Sequence, residues 1–334
     1  MSKHIFNKKL VLRGLEISPP IVLAPMVGIS HSAFRSLVQR EGGVGLLFTE
    51  MLAAKRLPHD NQLCSPLLVR DASEKPLIYQ IIAANEAAIE PAVIKLHMLG
   101  AEGIDLNLGC PAPVQRKQGA GMMLAGNHVQ LRKILRNLRS CTELPLSVKI
   151  RLGHQLAVDQ LRSFCRFLEA EGVDMITIHA RLNGEKFCRK PRWAAIGAVK
   201  NSVSIPILAN GGIFSPADAR KCLELSGADG VMIGRGAVER PWLCSEIAKE
   251  IYGIDQCRTK REYADIYMHF IGLLEQRFAP ERRLGRLKQF TRYYAAPFQF
   301  GHHLAAAVQS SVSLEQARQR AADFFAQPMC SYEH

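Results

Sequence analysis

The chain has 334 residues, 48% hydrophobic and 22% charged, with 43 lysines and arginines against 30 acids and a net charge of +13. It is too long for one minimal domain and suits a barrel-sized domain with an appendage, or two ordinary domains. No apolar run reaches bilayer length and no Gly/Ser- or Pro-rich tract occurs, which excludes a membrane-spanning or low-complexity chain; the charge favours a polyanionic partner, nucleic acid ahead of membrane.

From the start, the polar segment MSKHIFNKKLVLRG lacks the apolar core of a signal peptide, so a cytoplasmic protein is expected. Short β-branched or apolar runs follow at 21–24, 44–50, 77–82, 103–108, 146–151, 175–180, 206–210 and 230–234, making eight candidate strands. Amphipathic patterns at 31–39, 86–98, 129–139, 158–171 and 216–226 predict helices between them, and this alternation requires a parallel sheet. The connection 51–76 is broken by prolines and reads as a loop with at most a short helix. The order predicts an α/β fold, a (β/α)8 TIM barrel over 1–242. A doubly wound sheet would not explain polar residues at the carboxyl end of nearly every strand. Beyond 242 the strand signals stop; 263–278, 283–294, 302–309 and 314–326 read as helices, the last with a capping box of Ser313 and Gln316, so a C-terminal all-helical domain is expected over 243–334.

In such a barrel, chemistry sits where strands end. Those positions hold Pro25 and Met26, Glu50, Gln80, Asn107 and Cys110, Lys149, His179, Asn210 with Gly211 and Gly212, and Gly234 with Arg235. Core packing needs none of these polar groups. The turns ILANGG and VMIGRG follow strands seven and eight, where barrels bind phosphate through backbone N–H groups, and Arg235 offers a fork for the dianion. Lys149 and His179, on adjacent strands, could set a cation beside negative charge that develops on a bound group, or could be a paired lysine and a satisfied rim histidine. Cys110, in DLNLGCPAP, could be a nucleophile, a ligand or a proton donor; a thiol holds its proton at cellular pH and can release it to a carbanion. The nine cysteines, from Cys64 to Cys330, include no C-x-x-C pair, which argues against a disulfide framework or a metal site. Residues 116–139 hold six lysines and arginines and no acid, 277–292 hold six against Glu281 alone, and 186–192 are also basic; each could contact phosphate or be a solvated face.

The segments IVLAPMVGIS, LLFTEM, DLNLGCPAP, LSVKIRLG, ITIHAR, PILANGGI, ADGVMIGRGA and RPW recur in that order in bacterial tRNA-dihydrouridine synthases, which this chain resembles over about residues 15–242 and more weakly through GRLKQFTRYY. The resemblance implies an FMN-dependent enzyme in which NADPH reduces the flavin, N5 delivers hydride to C6 of a flipped-out uracil in tRNA, in the D-loop, and Cys110 protonates C5. By motif, the flavin contacts fall on Pro25, Met26, Val27, Gln80, Lys149, His179, Asn210, Gly211, Gly212, Gly234 and Arg235. Asn107 corresponds to the asparagine that recognises uracil. Arg181 and Arg189 fall on the substrate side, and Arg286, Lys288 and Arg292 become the foremost candidates for phosphate contacts; a monomer is expected. Gln115, Arg116, Leu182 and His31 depart from the family pattern in loops that face substrate more than flavin. Three alternatives stay open: a dihydrouridine synthase acting on another RNA such as rRNA, an FMN barrel acting on a free pyrimidine, and a non-catalytic RNA-binding barrel. The net charge of +13 tells against the free pyrimidine, and the joint presence of Cys110, Asn107, Lys149, His179 and Arg235 against the inactive barrel. No separate dinucleotide fingerprint is present, which is compatible with nicotinamide and RNA taking turns on one flavin face.

Overall fold

The computed structural model of the chain describes residues 6–61, 65–255 and 262–327; the first five residues of the polar start, Cys64, Cys257 and Cys330 lie outside them. An antiparallel hairpin of β1 (Leu10–Leu12) and β2 (Leu15–Ile17) precedes the parallel strands β3 (Ile21–Leu23), β4 (Leu47–Phe48), β5 (Leu52–Ala53), β6 (Leu77–Ile82), β7 (Gly103–Asn107), β8 (Leu146–Arg151), β9 (Met175–His179), β10 (Ile207–Asn210) and β11 (Gly230–Ile233). Their spatial order, β3-β11-β10-β9-β8-β7-β6-β4, runs around a ring. A parallel bridge between Val22 and Leu46 joins its ends, with Leu23 N–H donating to the Leu46 carbonyl at 2.9 Å, so the eight expected strands form a (β/α)8 barrel.

Alternation along the strands sorts the lumen. Val22, Leu46, Phe48, Ile78, Met175 and Leu208 fill its amino end, and Leu10, Leu12 and Ile17 of the hairpin plug it from below. Toward the carboxyl end the buried residues turn polar: Gln80, Asp105, Ser147, Thr177, His179 and Asn210.

The second strand differs from the continuous run expected over 44–50. Phe48 pairs with Ile78 but Leu52 with Ile81, so β4 and β5 together carry one residue more than β6 across the same stretch. The resulting bulge at Thr49, Glu50 and Met51 re-aims this strand end: the Glu50 carboxylate accepts the Gly28 N–H, and Met51 reaches the central pocket. The following connection is a loop with one 3-10 turn, Leu57–His59, as its prolines predict. Glu74 fastens that loop, accepting Arg35 Nε at 2.6 Å and the Asp71 N–H at 3.0 Å, both with its carboxylate fully buried.

Among the described residues, ten helices of the barrel region follow in order: α1 (Ser32–Glu41), α2 (Ile89–Met98), the short α3 (Pro113–Lys117) and α4 (Met122–Ala125), α5 (His128–Cys141), α6 (Val158–Ala170), α7 (Trp193–Lys200), α8 (Pro216–Ser226), α9 (Arg235–Glu239) and α10 (Leu243–Tyr252). Helix α8 shows why such segments start and stop where they do. Ser215 Oγ accepts the Asp218 N–H at 3.1 Å, Pro216 occupies the first turn, and Gly227 at φ 57° ends the helix in the left-handed region.

Helices α11 (Tyr263–Arg277), α12 (Arg283–Tyr294), α13 (Gly301–Gln309) and α14 (Leu314–Phe325) pack on one another, α11 meeting α12 through Phe270 and Phe290, whose rings lie 4.0 Å apart. Ser313 Oγ caps α14 by accepting the Gln316 N–H, while the return bond from Gln316 goes to the Val312 N–H rather than to that of Ser313. The bundle is seated on the barrel: α11 packs on α1, Trp242 lies 5.2 Å from the Tyr263 ring, and Arg277 pairs with Asp71 at 2.5 Å. Gln289 of α12 donates to the Val27 carbonyl at 3.3 Å. A Cβ on Gly28 (φ 76°) would stand 2.4 Å from Gln289 Oε1, so only glycine admits this approach.

Candidate active site

A cavity of about 340 Å³ opens at the carboxyl ends of the strands. Pro25, Met26, Val27, Gln80, Asn107, Cys110, Lys149, His179, Arg181, Asn210, Gly211, Gly212, Gly234 and Arg235 all line it, drawn from seven different strand ends. Arg189 lies outside on an exposed loop, although its carbonyl accepts Arg181 Nε at 2.6 Å.

The electrostatics of the cavity are one-sided. Lys149, Arg151, His179, Arg181 and Arg235 line it, and among the described residues no carboxylate does. Desolvation, with Arg151 nearby, draws the Lys149 pKa down to about 8. Burial and the cations Lys149, Arg151, Arg181 and Arg235 hold His179 down to about 2, so its ring is neutral and Nε2 accepts from Arg181 Nη1 at 3.1 Å. Arg235 lies against the faces of Phe187 and Phe214, at 4.9 and 5.4 Å from their centroids, and among the described residues no carboxylate is in ion-pair contact with it. Asp105, Glu185 and Glu239 act on these cations only from outside the lining, and cations clustered in this way are costly to enclose, a cost that an anionic group relieves.

Shape agrees with charge. Gly211 and Gly212, at φ 109° and 74°, could not carry a side chain: a Cβ would stand 2.5 Å from the His179 ring and 2.8 Å from Pro191, respectively. Polar amides line one wall and Met26, Ile213 and Met232 another. FMN fits this combination, with a phosphate for the Arg235 and glycine-turn side and a flat, polar-edged ring system for the amides and Lys149.

Cys110 is half-buried in the same cavity, on the loop beyond β7. Its N–H donates to Asn107 Oδ1 at 2.9 Å and its carbonyl accepts the Met122 N–H at 3.3 Å, so the backbone is held from both sides. Cys165, Cys222 and Cys244 are buried instead, with thiol pKa values pushed up to about 12, and are chemically inert. Among the described residues no group of three or more His, Cys, Asp or Glu could hold a metal ion.

The structure separates the basic stretches. Within 116–139, Arg132 and Arg136 both bind Glu171, Arg139 binds Asp174 and Lys133 faces Glu86, so four of these six cations are committed to acids on neighbouring elements. Arg116 and Lys117, just past the cysteine loop, stay exposed. In the bundle, Arg286 is half-buried, 4.2 Å over the Phe278 ring, while Lys288 and Arg292 have no acidic partner among the described residues.

Among the lining residues that escaped sequence reading are Arg151, Phe187, Gln289 and Tyr293. Arg151 stands two residues after Lys149 on β8 and so points the same way, a signal that strand alternation carried. Phe187 lies in a basic loop, and Gln289 and Tyr293 come from α12, some 180 residues beyond Cys110 in sequence, where no local pattern marks them as pocket residues.

A profile of the dihydrouridine synthase (Dus) family matches residues 22–327. A Synechocystis sp. protein named probable tRNA-dihydrouridine synthase 1 is 32% identical over 243 residues, 73% of this chain and 68% of its own length. The Pseudomonas putida protein named tRNA-dihydrouridine synthase B is 34% identical over 228 residues, 68% of this chain and 67% of its own. A Mycobacterium tuberculosis protein named probable tRNA-dihydrouridine synthase is 31% identical over 310 residues, 88% of this chain and 79% of its own. Among solved structures, 2-naphthoyl-CoA reductase aligns at a TM-score of 0.58 and 13% identity; the match covers 75% of this chain and about half, 52%, of that one. Morphinone reductase aligns at 0.53 and 10% identity over 73% of this chain. These two likenesses concern the fold alone.

Proposed function

The chain belongs to the dihydrouridine synthase family of flavin-dependent oxidoreductases, and we propose that it reduces a loop uridine of tRNA, in the D-loop, to 5,6-dihydrouridine with NADPH as reductant. The observation that carries this reading is Cys110, a half-buried thiol on a doubly anchored loop, inside a cation-rich pocket that fits FMN. Bound there and reduced by NADPH, FMN supplies the hydride that C6 of the uracil receives.

The chain's own residues do the rest. Arg235 and the turns at Gly211, Gly212 and Gly234, which line the cavity, would hold the FMN phosphate, and Lys149 would offset negative charge at the ring edge. Cys110 gives its proton to C5 as the C5–C6 double bond is lost, and recovers one from solvent. Asn107 has one N–H on Gln80 and its oxygen on the loop, which leaves one N–H for the uracil edge. A uracil must leave its stack to enter, at a cost of a few kcal/mol that is least in a loop. Lys288 and Arg292, with Arg189, Arg116 and Lys117, lie outside the cavity and suit phosphate contacts. Purified FMN-loaded protein given NADPH and an unmodified tRNA transcript should form dihydrouridine; reduction of free uracil or orotate, with tRNA untouched, would replace the reading.

A further inference from the structure

Beneath Cys110 runs a chain of directed hydrogen bonds that starts at a residue outside the pocket lining. Asp105 on β7 is fully buried; its Oδ1 accepts Ser147 Oγ at 2.6 Å and its Oδ2 accepts Gln80 Nε2 at 2.7 Å. With its nitrogen turned to Asp105, Gln80 must present its oxygen on the other side, and that oxygen accepts Asn107 Nδ2 at 2.9 Å. Asn107 in turn must present its oxygen to the cysteine loop, where it accepts the N–H groups of Gly109 at 3.1 Å and Cys110 at 2.9 Å.

An amide can turn end for end and bond equally well in either sense. A carboxylate cannot, because it only accepts. In this chain Asp105 is therefore the member that sets direction, and the two amides transmit it. With the Gln80 amide reversed, its nitrogen would meet the Asn107 nitrogen, Asn107 would reverse as well, and the Gly109 and Cys110 N–H groups would face a donor. We propose that Asp105 is a positioning residue, which fixes the sense of the Gln80 and Asn107 amides and thereby the placement of the Cys110 thiol. The proposal rests on Cys110 as the acid of the proposed reaction only for its effect on turnover; its effect on the thiol is independent of that reading.

Asp105→Asn is the direct test, because it keeps size and removes the obligate acceptor. Two readouts are taken: kcat and KM on tRNA with the FMN-loaded enzyme, and the rate at which iodoacetamide alkylates Cys110, followed by mass spectrometry with and without FMN. Cys165 and Cys244, unlabelled in the folded protein, report that the fold is intact. The variant should lose about 10-fold to 100-fold in kcat with little change in KM, and its Cys110 alkylation rate should shift by about threefold or more even without FMN. The double variant Gln80→Glu with Asp105→Asn restores an acceptor for Asn107 and should bring the alkylation rate back toward wild type. Should Asp105→Asn not fold, Gln80→Met, which removes the amide that carries the direction from Asp105 to Asn107, should move the same rate by about threefold or more. An unchanged alkylation rate in the folded variant, or a shift that the double variant leaves in place, overturns the proposal. A shifted rate beside a wild type that reduces no uridine would sink the proposed reaction and leave the positioning role standing.

Discussion

Lys149 sets its ammonium 3.1 Å from Oδ1 of Asn210, and that oxygen is committed to the lysine because Asn210 Nδ2 is spent on the Met232 carbonyl at 2.7 Å. With a pKa of about 8 the lysine is largely neutral above that pH in the flavin-free protein and charged below it. An anion in the pocket favours the charged form. FMN binding at pH 8.5 should therefore take up about half a proton or more, and at pH 6.5 almost none from this group. Calorimetry in buffers of different ionisation heat measures the uptake, and Lys149→Met should abolish it.

His179 predicts an acid limit on stability. Its folded pKa of about 2 lies below the ordinary 6.5, so the unfolded chain takes the proton first. The neutral ring's contribution is fully present above 6.5 and is lost as pH falls below it, by up to about 1.4 kcal/mol per pH unit. Urea unfolding of the flavin-free protein at pH 7.0 and 5.0 should show the loss. In His179→Gln the difference between the two pH values should shrink, and an equal difference would contradict the assignment.

The pairing of cations predicts which ones RNA feels. Lys288→Ala with Arg292→Ala should weaken tRNA binding and lower the slope of log K against log salt by about one per residue removed. Arg132→Ala with Arg136→Ala, whose partner is Glu171, should leave that slope nearly unchanged.

Arg35 and Glu74 are both fully buried and paired at 2.6 Å. Arg35 also donates to the carbonyls of Ser30 and Val69, tying the lip of β3 to the long loop after β5. Arg35→Met should cost roughly 3–5 kcal/mol, because it strands a buried carboxylate. Arg35→Met with Glu74→Leu should recover much of that loss in a denaturant titration.

Much of this site was legible from residue order because a parallel barrel turns sequence position into place: each strand end is a pocket position, and Gln80, Asn107, Cys110, Lys149, His179, Asn210 and Arg235 meet there. Charge was less legible. The run at 116–139 has no acids within it, yet Glu171, Asp174 and Glu86 reach it from other elements, and pairing at that distance leaves no local trace. The bulge at Thr49–Met51 depends on the register against β6, which alternation within one strand does not set. Gln289 and Tyr293 enter the pocket only through the way α12 docks.

Dihydrouridine mapped at nucleotide resolution in tRNA tests the central claim most directly, using cells that lack this gene and the same cells carrying wild type or Cys110→Ala. The account predicts that D-loop dihydrouridine disappears with the gene, returns with wild type and does not return with Cys110→Ala. Unchanged dihydrouridine in every tRNA, or full restoration by Cys110→Ala, would contradict it.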